Sequence, residues 1–127
     1  MTGISNRTFV PLSHLLACML LTCAAGAASG HGMLERAIPA ADSTVHGSPA
    51  EVTLSFSQAL EPAFSTLRVV DAGGKQIDRE DKSLGADARQ LRVSLPPLAP
   101  GPYRVIWRVL SKDGHVSSGD LTFTVAP

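Results

Sequence analysis

The sequence contains only two cysteines in 127 residues, Cys18 and Cys23, and both fall in the apolar stretch near the N-terminus. From His31 onward there is no thiol. That part of the chain therefore has no disulfide, no thiolate nucleophile and no cysteine metal ligand. Thioethers are equally scarce, because Met33 is the only methionine after Met19. Soft copper(I) wants several thioethers or thiolates, so a copper(I) site is not expected. An excess of one charge is missing too. Arg7 is the only charged residue before His31, which leaves ten basic and eleven acidic residues after it, with no block of either sign. Such a balance, without a basic stripe, disfavours nucleic acid and anionic membrane surfaces as partners. There is no glycine-rich phosphate loop and no paired-carboxylate signature. Nothing in the pattern activates Ser117 or Ser118 as a nucleophile.

What is present begins with the marks of export. Residues 1–30 carry Arg7, then an apolar core from Leu15 to Ala25, then small residues. That order is a secretory signal peptide. The apolar run is short for a spanning helix, which needs ~20 residues. We therefore read 1–30 as a cleaved leader and 31–127 as one exported domain. Ala28 and Gly30 supply small residues at −3 and −1 for a cut before His31, with a cut after Ala27 as the competitor. A lipobox reading of L-L-A-C at 15–18 would leave a greasy tail behind the lipid and ranks low.

The exported part has the two-residue period of half-buried strands. In A-E-V-T-L-S-F (50–56), Val52, Leu54 and Phe56 alternate with polar residues. T-L-R-V-V (66–70) runs into the turn D-A-G-G-K. R-Q-L-R-V-S-L (89–95) points Leu91, Val93 and Leu95 inward, and Y-R-V-I-W-R-V-L (103–110) does the same with Tyr103, Val105, Trp107 and Val109. D-L-T-F-T-V (120–125) contributes Leu121, Phe123 and Val125. A first short strand at 33–38 ends at Pro39. The polar stretch 74–89 reads as a solvated connection with a small strand at Gln76-Ile77-Asp78. No segment reads as a helix. Short strands at regular spacing with Gly/Pro turns predict an all-β sandwich of about seven strands.

Three histidines remain once His14 leaves with the leader. His31 becomes the N-terminal residue, whose free amine and ring Nδ1 can grip one metal in a six-membered ring. Copper(II) suits such nitrogens in a tetragonal plane. The amine, with an ordinary pKa of ~8, must lose its proton to bind. Asp113-Gly114-His115 is the second element. In extended chain, residues i and i+2 point to one side, so a carboxylate oxygen and an imidazole nitrogen can meet. Read blandly, the same segment is a polar Asp-Gly turn. Together, two imidazoles, one amine and one carboxylate form an N3O set suited to copper(II), although zinc can use the same atoms. His46 lies in a loop and reads as solvated, and Tyr103 and Trp107 read as core.

The sequence resembles the CopC family of periplasmic copper-resistance proteins. The likeness runs from about His31 to Val125, through H-G-M-L, P-A-A-D-S, P-A-E-V-T-L-S-F-S, G-P-Y-R-V-I-W-R-V-L-S-K-D-G-H and G-D-L-T-F-T-V. The S-x-D-G-H segment after Y-x-V-x-W, joined to a histidine behind a leader, is its most specific part. The resemblance implies a seven-stranded Greek-key β-sandwich of immunoglobulin or cupredoxin type. It implies a copper(II) site made by the amine and ring of His31 with Asp113 and His115. It also implies a non-enzymatic periplasmic carrier or buffer that passes copper to a CopD-like inner-membrane protein; a monomer is expected. Two departures stand out. Gln58 follows Phe56-Ser57 where some members carry a glutamate near copper(II), and the methionines of a copper(I) site are missing. Two other classes compete with the carrier. One is a copper-dependent polysaccharide monooxygenase, which also uses an N-terminal histidine. The other is a metal-free structural sandwich.

Overall fold

The computed structural model describes residues 33–127, together with Gly3. Apart from Gly3, the leader expected at 1–30 lies outside the described residues, as does His31. The chain forms β1 (Leu34–Ile38), β2 (Thr44–Val45), β3 (Glu51–Phe56), a 3₁₀ turn at Pro62–Phe64, β4 (Thr66–Val70), β5 (Ser83–Leu84), β6 (Gln90–Ser94), β7 (Gly101–Leu110) and β8 (Val116–Val125). Two four-stranded sheets result, in the orders β1-β3-β6-β5 and β2-β8-β7-β4. Every strand pair is antiparallel except β2 with β8. The connections β3–β4, β4–β5 and β6–β7 each carry the chain from one sheet to the other, as in a Greek-key sandwich.

The alternating residues close the space between the sheets. Val52, Leu54, Phe56, Leu91, Val93 and Leu95 from one layer meet Leu67, Val69, Tyr103, Val105, Trp107, Val109, Leu121, Phe123 and Val125 from the other, all buried. Burying each such side chain is worth roughly 1.5–3 kcal/mol, which is what holds a disulfide-free domain of this size together. Tyr103 stacks on Phe123 with ring centroids 5.7 Å apart. Its hydroxyl donates to the Ala99 carbonyl at 2.6 Å, so the polar end of a buried ring is satisfied.

The structure departs from the sequence reading at four places. Among the described residues there are eight strands rather than about seven, because β2 and β5 have only two residues each, too few to show a period. The strand expected at Gln76-Ile77-Asp78 reduces to an isolated bridge between Val70 and Gln76. Asp78 instead closes the outer edge of β4, its carboxylate taking the Val69 N–H at 2.7 Å. The stretch 74–89 is likewise tied down. Asp81 accepts from Ser94 N–H at 2.8 Å, and the Lys82 ammonium donates to the Pro62 carbonyl at 2.9 Å. Finally, β8 starts at Val116 rather than Asp120. Its first residues, V-S-S-G, carry no apolar alternation and pair because β7 supplies the register.

Gly119 shows what that register demands. It sits opposite Trp107 in the β7–β8 ladder, and a Cβ there would lie 2.6 Å from Trp107 Cζ2. The indole is 1% exposed, so it has no room to retreat. Gly119→Ala is therefore expected to cost about 1–3 kcal/mol through overpacking. Urea unfolding followed by Trp107 fluorescence reads the loss. A midpoint equal to that of the wild type would show that the ring can shift.

Candidate metal centre

β7 and β8 are joined by the five residues from Ser111 to His115. Ser111 N–H donates to the His115 carbonyl at 2.9 Å and closes the loop, and Gly114 N–H donates back to the Ser111 carbonyl at 2.9 Å. Gly114 has φ +89°, a left-handed conformation that glycine adopts without the Cβ penalty. The chain thus turns where extended backbone was expected. Asp113 and His115 do converge, but through the turn rather than through a two-residue strand period. Asp113-Gly114 is a turn, as the bland reading has it, and the same turn brings the Asp113 and His115 side chains together.

The geometry is specific. His115 Nδ1 lies 3.1 Å from Asp113 Oδ2, with side chains 78% and 44% exposed. The other carboxylate oxygen, Oδ1, accepts from the Ser111 hydroxyl and from His115 N–H, the latter at 3.3 Å. The Ser111 hydroxyl, foremost, and His115 hold the Asp113 carboxyl below the usual aspartate range. The pair therefore presents a carboxylate and an imidazole at the solvent-facing tip of the molecule.

The base of this hairpin is clamped from the side. Segment 59–65 gives Lys112 N–H the Ala59 carbonyl at 2.9 Å, and Glu61 N–H donates to the Leu110 carbonyl at 2.9 Å. Leu60 bridges Ser111 and is fully buried. Ser65 Oγ accepts from Leu110 N–H at 3.1 Å. Just ahead of this segment the chain reaches the start of β1, since Ser57 N–H donates to the Met33 carbonyl at 2.8 Å. Gln58, the next residue, is exposed at this end. His46 is also exposed, but on the loop after β2, beyond the C-terminal end of β8 and so at the other end of the sandwich.

Among the described residues, no three histidine, cysteine, aspartate or glutamate side chains gather around one point. Asp113 and His115 meet as a pair, without a third such side chain among the described residues. The CopC domain model matches residues 34–126, nearly the whole of the sandwich.

The chain belongs to the CopC family.

CopC from Methylosinus trichosporium OB3b, a crystal structure, superposes with a TM-score of 0.70 at 42% identity, over 75% of this chain and 93% of that one. PcoC, a methionine-rich copper resistance protein from Escherichia coli, gives a TM-score of 0.65 at 32% identity, over 73% and 96%. Protein YobA of Escherichia coli K12 is 34% identical over 120 residues, 90% of this chain and 94% of its own length. Within this CopC domain, the residue that site reasoning passed over is Ser111. It is 1% exposed, and its only signal was its place two residues before Asp113 in S-x-D-G-H.

The depressed Asp113 pKa makes a testable statement about the hairpin. A carboxyl whose folded pKa lies below its unfolded value contributes stability above the ordinary aspartate range. That contribution disappears as the pH falls through the folded pKa. Carbon-detected NMR should find the Asp113 carboxyl titrating below an ordinary aspartate in the wild type and closer to one in Ser111→Ala. Equal midpoints would show that the hydroxyl does not hold the charge.

Proposed function

We propose that this CopC-family protein is a periplasmic copper(II) carrier or buffer, with a metal site formed by the amine and ring of His31 together with Asp113 and His115. The observation that carries the reading is the convergence of Asp113 and His115 at the end of the sandwich where β1 begins. Segment 57–60 is bonded to Met33 at one end and to Lys112 at the other. His31 precedes Met33 by two residues, about 7 Å of extended chain, which is within reach of the neighbouring hairpin. Asp113 Oδ2 and the exposed imidazole are the atoms to be offered. Coordination through Oδ2 would exchange its contact with His115 Nδ1 for the metal, and an exposed ring can turn to follow.

Two nitrogens from one chelating residue, an imidazole and a carboxylate suit copper(II) rather than copper(I). The single methionine near the site sets this chain apart from the methionine-rich PcoC. Family membership supports a role in handling copper rather than in catalysis. Export by a cleaved leader supports the periplasm, and an exposed site supports hand-over of the metal to a CopD-like inner-membrane protein by a monomeric carrier.

The test compares two preparations in copper(II) titrations with electron paramagnetic resonance. A protein beginning at His31 should bind one equivalent in a nitrogen-rich tetragonal field. One extra residue before His31 converts the amine to an amide and should weaken binding severely. Equal affinity in the two preparations, or none in either, would sink the site.

Two substitutions refine it. His115→Ala should keep the fold, because the side chain is exposed. It should lower affinity by more than the about 10–100-fold typical of losing an outer partner of a metal ligand. Gln58→Glu should tighten copper(II), since a negative charge would replace a neutral amide beside the start of β1. An unaltered affinity would place Gln58 away from the metal.

A further inference from the structure

Ser111 does more than close a turn. It is a buried polar residue at the foot of an exposed hairpin tip, 1% accessible beneath an imidazole that is 78% accessible. Its backbone is fixed three ways. Its N–H donates to the His115 carbonyl at 2.9 Å, its carbonyl accepts from Gly114 N–H at 2.9 Å, and it is bridged to the buried Leu60. Its side chain is therefore delivered to one place. There the hydroxyl faces two acceptors, Asp113 Oδ1 and the His115 carbonyl, the latter at 3.2 Å; the charged carboxylate is the stronger acceptor for its one proton, and Oγ accepts from His115 N–H at 3.2 Å. One oxygen atom thus touches both members of the pair, at the side chain of the first and the backbone of the second.

The consequence is a division of labour within the Asp113 carboxylate. Oδ1 faces the protein and is taken up by Ser111 and by His115 N–H. Oδ2 faces the imidazole. A free aspartate on an exposed turn samples several rotamers, and a metal must select among them. Here the buried hydroxyl makes the selection in advance.

We infer that Ser111 is the positioning residue of the hairpin. Its hydroxyl holds Oδ1 of Asp113 and the backbone of His115, so that Oδ2 is the carboxylate oxygen left for the incoming ion and the Asp113 rotamer is set before it arrives. The inference rests on the copper(II) reading for its purpose, though the lock itself exists without metal. Serine suits the task by size and chemistry, being small enough for a buried site and carrying one donor and two acceptor lone pairs.

The experiment separates the lock from the metal. In the metal-free protein, three-bond couplings should report one χ1 rotamer for Asp113, and hydrogen exchange should show a protected His115 amide. Ser111→Ala removes one oxygen and adds no bulk. It should average the Asp113 rotamer and speed exchange of the His115 amide, while amide shifts in the distant strands stay native. Copper(II) affinity should then fall about 10-fold with the same spectral type, the scale of losing an outer partner of a metal ligand. Ser111→Thr keeps the hydroxyl and should restore both the rotamer and the affinity.

A single Asp113 rotamer in folded Ser111→Ala overturns the inference, as does wild-type copper affinity in a variant whose rotamer has averaged. Averaging in Ser111→Ala alongside a wild type that binds no copper upholds the lock and overturns the copper reading instead. A folded Ser111→Thr in which Asp113 still averages counts against the hydroxyl as the cause.

Discussion

The ladder between β7 and β8 is the constraint on which the rest of the molecule depends. Ten residues of one strand pair one to one with ten of the other, from Gly101 opposite Val125 to Leu110 opposite Val116. Its inner face contributes Tyr103, Val105, Trp107, Val109, Leu121, Phe123 and Val125 to the core. Its far end is the turn that carries Asp113 and His115. Register and site are therefore not separate features. A one-residue slip would turn the apolar set outward and also dissolve the bonds that close the hairpin. The glycine opposite Trp107 belongs to the same constraint, because the widest side chain of the core needs a place in the ladder where nothing stands across from it.

A hairpin tip is ordinarily among the looser parts of a sheet, and this one is not left to itself. Segment 59–65 grips the last residues of β7 through backbone bonds and through Ser65, and Lys82 in turn ties the 3₁₀ turn of that segment to the crossover before β5. The clamp ends where Asp113 begins. Rigid below and exposed above, the tip can hold donor atoms in place while keeping them open to exchange. A buried site would retain a metal and a mobile one would bind it poorly. A scaffold-mounted, solvent-facing pair fits the proposed carrier, which would have to take a metal and give it up.

Much of this was legible in the residues, and the limits have physical causes. The inward positions of 50–56, 89–95, 103–110 and 120–125 could be read because an apolar face and a polar face alternate along a strand that is half buried. The first four residues of β8 could not, since V-S-S-G is held by its partner strand and not by its own pattern. β2 and β5 are too short to have a period. The Asp113–His115 pair was foreseen with the wrong geometry. Spacing of two suits an extended strand as well as a turn, and only the left-handed conformation of Gly114 decides between them. Leu60 and Ser65 lie in a segment without alternation, so their burial depends on tertiary contacts that no local pattern announces.

Ser111 is the case where sequence and structure carry complementary halves of one fact. In the sequence it is one more polar residue ahead of a polar turn, and polar residues before turns are usually solvated. In the structure it is buried, and burial changes what its hydroxyl is worth. A serine in water exchanges partners freely, whereas a serine enclosed under a hairpin must keep the partners it has or bear the cost of an unsatisfied group. Enclosure converts a weak, common side chain into a fixed reference point for the two exposed residues above it. The same reasoning explains why the pair can be so open. The atoms that face solvent need no protection from it when their orientation is set from beneath by groups that water does not reach.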